Sequence, residues 1–320
     1  MSDSFDLEGA RVWVAGDRGM VGAAIVRRLQ REPVEILTVP RAQLDLRDPS
    51  AVKAWMVEHR PDVVILSAAK VGGIWANDHF PADFLRDNLA IELAVIPAAF
   101  ETGVKKLMML GSACVYPRMA PQPMVEEALL TGPLEPTNEW YAIAKIAGMK
   151  LCEAYRRQHG ADFISVMPNN LYGPGDNYHP EHSHVPAALI RRMDEANRSG
   201  AKSVTIWGTG RPLREFLYVD DLADACVHLL RVYSGELAIN IGSGEEVSIA
   251  AFAQEVAKAV GYRGELVFDT TRPDGPPRKL VDVSRLKAMG WNASTSLSEG
   301  LPKAYADYLR RLADGSVRAA

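Results

Sequence analysis

Arg11-Val-Trp-Val-Ala15-Gly16-Asp17-Arg18-Gly19-Met20-Val21-Gly22 is the stretch on which the fold turns. A short apolar run reads as a buried strand. It meets a GxxGxxG at once, and Val21, Ile25 and Leu29 then share one face of a helix expected over 20–31. Glycines at a strand-to-helix turn let the backbone bend tightly and approach a pyrophosphate, for which the helix start offers free N–H groups and partial positive charge. Gly16, Arg18, Gly19, Met20, Val21 and Gly22 are therefore expected to bind a dinucleotide. A glycine pattern alone marks only a tight turn; its place between strand and helix carries the reading.

Outward from there the alternation continues. Strands are expected at 34–39, 63–67, 106–110 and 163–167. Helices are expected at 49–59, 83–100 and 139–159, with Asp48 as N-cap of the first. Strands apolar on both faces and separated by helices imply an α/β fold, a doubly wound parallel sheet covered on both sides, with ligands beyond the strands' carboxyl ends. After Met167 the texture changes. Residues 168–186 are rich in Pro, Gly, Asn and His and read as a long ordered loop, and short strands follow at 204–207, 238–241 and 266–268. The chain is expected to form a Rossmann-like nucleotide domain (9–167 plus 216–243), a smaller interleaved α/β substrate domain (168–215 plus 244–313), and tails at 1–8 and 314–320.

Bulk properties exclude several classes. A net charge of −4 with no basic run argues against nucleic acid as partner. No apolar stretch approaches the roughly 20 residues that span a bilayer, and residues 1–8 lack the basic and apolar regions of a signal peptide. The three cysteines, Cys114, Cys152 and Cys226, are too few and too scattered for a disulfide framework or a structural zinc site. A cytoplasmic location is the expectation.

The second strand ends Thr38-Val39-Pro40-Arg41, without the acid that accepts from the ribose 2′-hydroxyl of NAD. Arg41 and Arg18 are placed to bracket a 2′-phosphate by charge-assisted bonds, which selects NADP(H), unless both are solvated surface arginines. Asp45 is expected near the adenine.

Tyr141-Ala-Ile-Ala-Lys145 puts a phenol and an amine one helical turn apart on one face. A free phenol ionises near about pH 10, and a neighbouring ammonium is expected to make it more acidic. Ser112, at the exit of the fourth strand, is expected to hold a substrate carbonyl beside Tyr141. On its own a YxxxK is common on surface helices. With the glycine loop, the strand-exit serine and Pro168-Asn-Asn-Leu-Tyr-Gly-Pro174, it is specific.

Together these motifs resemble the extended short-chain dehydrogenase/reductase superfamily over nearly the whole chain. Ala68-Ala-Lys-Val-Gly-Gly-Ile74, Glu135-Pro-Thr-Asn-Glu139, Arg214-Glu-Phe216, Pro273-Asp-Gly275 and Pro277-Arg-Lys279 are similar to its members that epimerise and reduce a GDP-linked 4-keto-6-deoxy sugar. One departure is Trp140, where those members carry a proline. The resemblance implies that Tyr141, Lys145 and Ser112 serve the reduction, and that Cys114 and His184 form the acid/base pair of epimerisation. It also implies that Lys145, Pro168, Asn170, Leu171 and His184 contact NADP(H), that Arg192, Trp207, Arg214, Asp274 and Lys279 contact the GDP-sugar, and that the chain is a homodimer packed through helices including that of Tyr141. The chemistry is coherent: a 4-keto group acidifies the protons on carbons 3 and 5, and a thiol and an imidazole titrate nearest neutrality. Cys114 equally suits a small buried position and Trp207 the core. His179, His182 and His184 invite a metal reading, but polarising the ketone through Tyr141 needs none. Three readings stay open: a sugar with its 3-hydroxyl, a sugar that has lost it, and a plain reductase that does without Cys114 and His184. A non-catalytic NADP-sensing scaffold is the remote alternative; it would have been free to lose Tyr141, Lys145 or Ser112.

Overall fold

The computed structural model describes residues 5–317 except 181 and 273, so the outer ends of both expected tails lie outside the described residues. β1 (Arg11–Ala15) runs through the glycine turn into α1 (Met20–Leu29), then β2 (Glu35–Leu37), α2 (Pro49–His59) and β3 (Val63–Leu66). A short α3 (Ile74–His79) precedes the long α4 (Pro81–Glu101), β4 (Lys106–Leu110), α5 (Glu139–His159) and β5 (Asp162–Pro168). Next come β6 (Asn170–Tyr172), α6 (Val185–Ser199), β7 (Ser203–Trp207), β8 (Leu213–Arg214), β9 (Phe216–Tyr218) and α7 (Val219–Val232). The chain ends with β10 (Ile239–Ile241), β11 (Val247–Ser248), α8 (Ile249–Val260), β12 (Glu265–Asp269), β13 (Arg278–Lys279), α9 (Ser284–Ala288) and α10 (Leu297–Ala313).

Six strands form one parallel sheet in the order β10-β5-β4-β3-β1-β2. From β1 the chain moves out to β2 and then returns across β1 to β3, so the crevice between β1 and β3 is the topological switch point. Alternate side chains feed two cores. Trp13, Val64, Leu66, Leu107 and Met109 face α2, α4 and α5; Val12, Val14, Ile65, Met108 and Leu110 face α1 and α7. Both faces being buried explains why the strands read as continuous apolar runs. Asp48 caps α2 as expected, accepting from the Ser50 and Ala51 amides.

A third core gathers α6, α8, α10, β7 and β12. β9 bridges it to the main sheet by its two-residue period, Phe216 and Tyr218 facing the third core and Leu217 the second.

Two local expectations need correction. Only Glu35–Leu37 of residues 34–39 is a strand; beyond it the chain turns, and the Pro40 carbonyl accepts from the Gln43 and Leu44 amides. The segment 168–186 is not all loop, because β6 pairs in parallel with β9, some 45 residues later.

Candidate active site

At the switch point the glycine turn is shaped by close backbone approach. Gly16 has a φ of +103°, and a Cβ there would lie 2.6 Å from the Ala68 nitrogen after β3. A Cβ on Gly22 would lie 2.1 Å from the Gly16 carbonyl oxygen. Gly19 is different: it is the N-cap of α1 with an ordinary φ of −72°, and its nearest neighbour would be 3.5 Å away. The protein itself would tolerate a side chain at Gly19, so bare backbone at the start of α1 suits a phosphate group. Met20 and Val21 form the first turn of that helix.

Arg18 and Arg41 are both exposed at this rim. Asp45 is engaged by a residue that sequence reading passed over, Arg47, at 2.7 Å. That guanidinium holds the Asp45 carboxyl down at about 2. Lys70 joins the same rim, 3.0 Å from Asp83, and its backbone amide donates to Asn88 Oδ1 at 2.8 Å.

Beyond β4 and β5 the candidate reacting groups converge. Ser112, two residues beyond the end of β4, caps a 3-10 turn, Ala113–Val115, its hydroxyl accepting from the Cys114 amide at 3.3 Å. The same hydroxyl is near enough to the Tyr141 phenol to oppose part of its upward shift. Tyr141 and Lys145 share a face of α5, with the Lys145 amine 6.0 Å from the centre of the Tyr141 ring. Lys145 is buried and its amine faces Glu92 of α4 at 3.3 Å, another residue the sequence reading missed. Its only signal was a lone carboxylate in the apolar run Leu89-Ala-Ile-Glu-Leu-Ala-Val-Ile96.

This arrangement corrects one expectation. The Tyr141 phenol is pushed up from its ordinary value, chiefly by burial of its hydroxyl and then by the Cys114 and Glu92 side chains. The ring edge remains partly exposed, but heavy atoms crowd the oxygen. The Lys145 amine, 6.0 Å from the ring centre and facing Glu92, does not offset that burial. A phenol that stays protonated is a proton donor at rest, which is the form a ketone reduction requires.

On the opposite wall, β13 pairs in parallel with β8 so that Lys279 stands beside Arg214. The Lys279 amine reaches the Cys114 sulfur at 3.6 Å, across 165 residues of sequence. His184 is the N-cap residue of α6. Its side chain is solvent-accessible, yet protein crowds the cleft around it, and this crowding together with Lys279 lowers its imidazole below the ordinary 6.5. His179 and His182 stack at 4.1 Å, and His182 stacks on Trp75 at 5.4 Å. Among the described residues no group of three or more His, Cys, Asp or Glu is arranged to hold a metal ion.

The remaining expected contacts are spread more widely. Pro168 ends β5, and Asn170 and Leu171 begin β6, with Asn170 donating to the Glu215 carbonyl at 2.9 Å. Glu215 is itself buried and accepts from the Gly244 amide at 2.6 Å and from Asn169, so it fixes the strand end that carries Arg214. Arg192 donates to the Thr205 carbonyl. Trp207 is 66% exposed, which removes the core reading, and the Arg272 guanidinium lies 5.1 Å over its ring. Asp274 is turned onto Thr209, accepting from its amide and hydroxyl at 2.9 and 2.7 Å. It braces the loop after β7. Trp140 is exposed on α5, one residue before Tyr141.

A βαβ nucleotide cradle beside a Ser–Tyr–Lys centre defines a class, and the comparisons give it a description. The chain belongs to the NAD dependent epimerase/dehydratase family, whose model matches residues 12–242. Within it the similarity is to GDP-L-fucose synthases. GDP-L-fucose synthase 1 of Arabidopsis thaliana is 56% identical over 306 residues, covering 95% of each chain. That of Escherichia coli K12 is 52% identical, covering 93% of this chain and 96% of its own. A solved GDP-L-fucose synthetase of Naegleria fowleri, bound to NADP, superposes with a TM-score of 0.89 at 28% identity over 98% of both chains.

Proposed function

We propose that the chain converts GDP-4-keto-6-deoxy-D-mannose to GDP-L-fucose, inverting carbons 3 and 5 and reducing the keto group at carbon 4 with NADPH. One observation carries the reading: the thiol of Cys114, held against Lys279, stands two residues from Ser112, which lies beside the Tyr141 phenol. A plain reductase has no use for a proton-transfer group there. Supporting it are the glycine cradle and the identity of 52% and 56% to synthases of this activity.

Arg214 and Lys279 supply cations for the pyrophosphate from adjacent strands, Arg192 and the exposed Trp207 flank them, and Asp274 keeps the neighbouring loop in place. Ser112 and Tyr141 donate to the carbonyl at carbon 4. That stabilises the enolate formed when a proton leaves carbon 3 or 5, with Cys114 and His184 as acid and base on opposite faces of the sugar. Once both centres are inverted, Tyr141 gives its proton to the carbon-4 oxygen. NADPH, when bound, supplies the hydride. Gly16, Gly19 and Gly22 with Met20 and Val21 would hold its pyrophosphate, Arg18 and Arg41 its 2′-phosphate, Asp45 its adenine side, and Lys145, Pro168, Asn170, Leu171 and His184 its nicotinamide half.

The test is direct. Protein, NADPH and GDP-4-keto-6-deoxy-D-mannose are mixed, and loss of nicotinamide absorbance is followed together with the configuration of the product sugar. No oxidation, or a product not inverted at carbons 3 and 5, rejects the proposal. Arg41→Ala is expected to weaken NADPH binding about 10- to 100-fold, the worth of a charge-assisted bond, while leaving NADH use unchanged; an equal loss for both cofactors removes Arg41 from the 2′-phosphate site. A homodimer through α4 and α5 is proposed on their outer faces, where Leu93, Trp140 and Ile143 are exposed. A monomer mass by light scattering would exclude it.

A further inference from the structure

Behind Lys145 stands a carboxylate that the glycine loop and the Tyr–Lys pair leave unexplained. Glu92 projects from α4 into its seam with α5 and is 1% exposed. α5 is shaped to admit it: a Cβ on Gly148 would lie 2.6 Å from Glu92 Cδ and 2.7 Å from Oε2. Among the described residues neither carboxylate oxygen has a well-formed hydrogen bond. The 3.3 Å separation from the Lys145 amine exceeds the roughly 2.7–2.9 Å of a tight charge-assisted bond. A buried ion pair this loosely made is a poor source of stability, since a well-packed apolar pair usually serves as well. The loose contact does leave the amine donors to spare for other partners.

The titratable and charged groups facing this seam are few. From α5 come Tyr141, Lys145 and Cys152, and Cys114 after β4 meets the hydroxyl of Tyr141. Lys145 is the only cation among them.

Resting on the function proposed above, we infer that Glu92 is a positioning residue for the reduction: its carboxylate keeps the Lys145 amine charged and in reach of Tyr141 and of the cofactor, and so sets the alkaline limit of activity. An amine sealed in an apolar seam without a counter-charge favours its neutral form. Burial lifts the Glu92 carboxyl to about 7. Above that pH it is ionised and balances the ammonium, and this is the range where the balance is needed. Below it the carboxyl is neutral and has no charge to contribute, so its replacement should matter little there.

Glu92→Gln keeps size and shape and removes the charge. Its single-turnover reduction rate is expected to match wild type within about twofold at pH 6 and to fall roughly tenfold or more at pH 8, the alkaline limb moving to lower pH. The KM for the sugar should stay unchanged. NADPH affinity, read by fluorescence without substrate, should weaken at pH 8 and not at pH 6. Glu92→Asp, which keeps the charge, should retain most of the pH 8 rate and affinity, and it serves if the Gln variant folds poorly. A loss equal at both pH values is the mark of a merely structural role and overturns the inference, as does no loss at all. Wild type failing to reduce the sugar would count against the proposed function, and the NADPH-binding arm would still decide the role of Glu92.

Discussion

Tyr141→Phe is expected to slow NADPH oxidation by about a thousandfold, within the range for removing a general acid, with the KM for the GDP-sugar little changed. The substitution deletes one oxygen. The phenol is pushed up by burial and by its acidic neighbours, so in wild type it is protonated throughout the neutral range and ready to donate. Phenylalanine leaves the carbonyl facing Ser112 alone, which can hold the oxygen but gives up no proton at neutral pH. Under the proposed reading Arg214 and Lys279, side by side on β8 and β13, would hold the pyrophosphate, so affinity should survive. Single-turnover absorbance measures the loss. A variant within tenfold of wild type would show that another group supplies the proton.

Cys114→Ser should have the second largest effect, and of another kind. Incorporation of solvent deuterium at carbons 3 and 5 is expected to fall about 100- to 10,000-fold, because a hydroxyl is a far weaker acid than a thiol. Hydride transfer should be less affected, since Tyr141, Ser112 and Lys145 remain. The two variants are thus separable: the tyrosine variant slows reduction, and also exchange in part through the enolate, whereas the cysteine variant slows inversion first. Crowding and the Lys279 charge lower the His184 imidazole from 6.5, so it is neutral at pH 7 and becomes charged only on acidification. The acid limb of exchange should therefore lie below pH 6.5 and disappear in His184→Asn. Unaltered deuterium uptake in Cys114→Ser would assign proton transfer to some other side chain.

Much of this molecule could be read from local pattern. β1, its glycine turn and α1 needed twelve residues, and the Asp48 cap, β4 and the helix bearing Tyr141 and Lys145 were equally plain. Their signals are short-range, being apolar periodicity, glycines spaced three apart at a strand-to-helix turn, and a four-residue spacing on one helix face. The pairing of β6 with β9 was hidden in a loop-like composition, because three-residue strands carry too little pattern to stand out. Nothing in the local pattern announced that Arg47, two residues on from Asp45, would pair with it.

By itself, then, the sequence determined the alternation of strands and helices in the first half, the nucleotide turn and the Tyr141–Lys145 spacing, since each depends on residues within a turn or two of one another. Only the tertiary structure decided that Lys279 meets Cys114 and that Trp207 faces solvent. It also decided that a carboxylate from α4 faces Lys145 and that burial keeps the Tyr141 phenol protonated. These outcomes depend on which surfaces come together and how much water they exclude. The strength of a charge is set by that exclusion, which no run of neighbouring residues records.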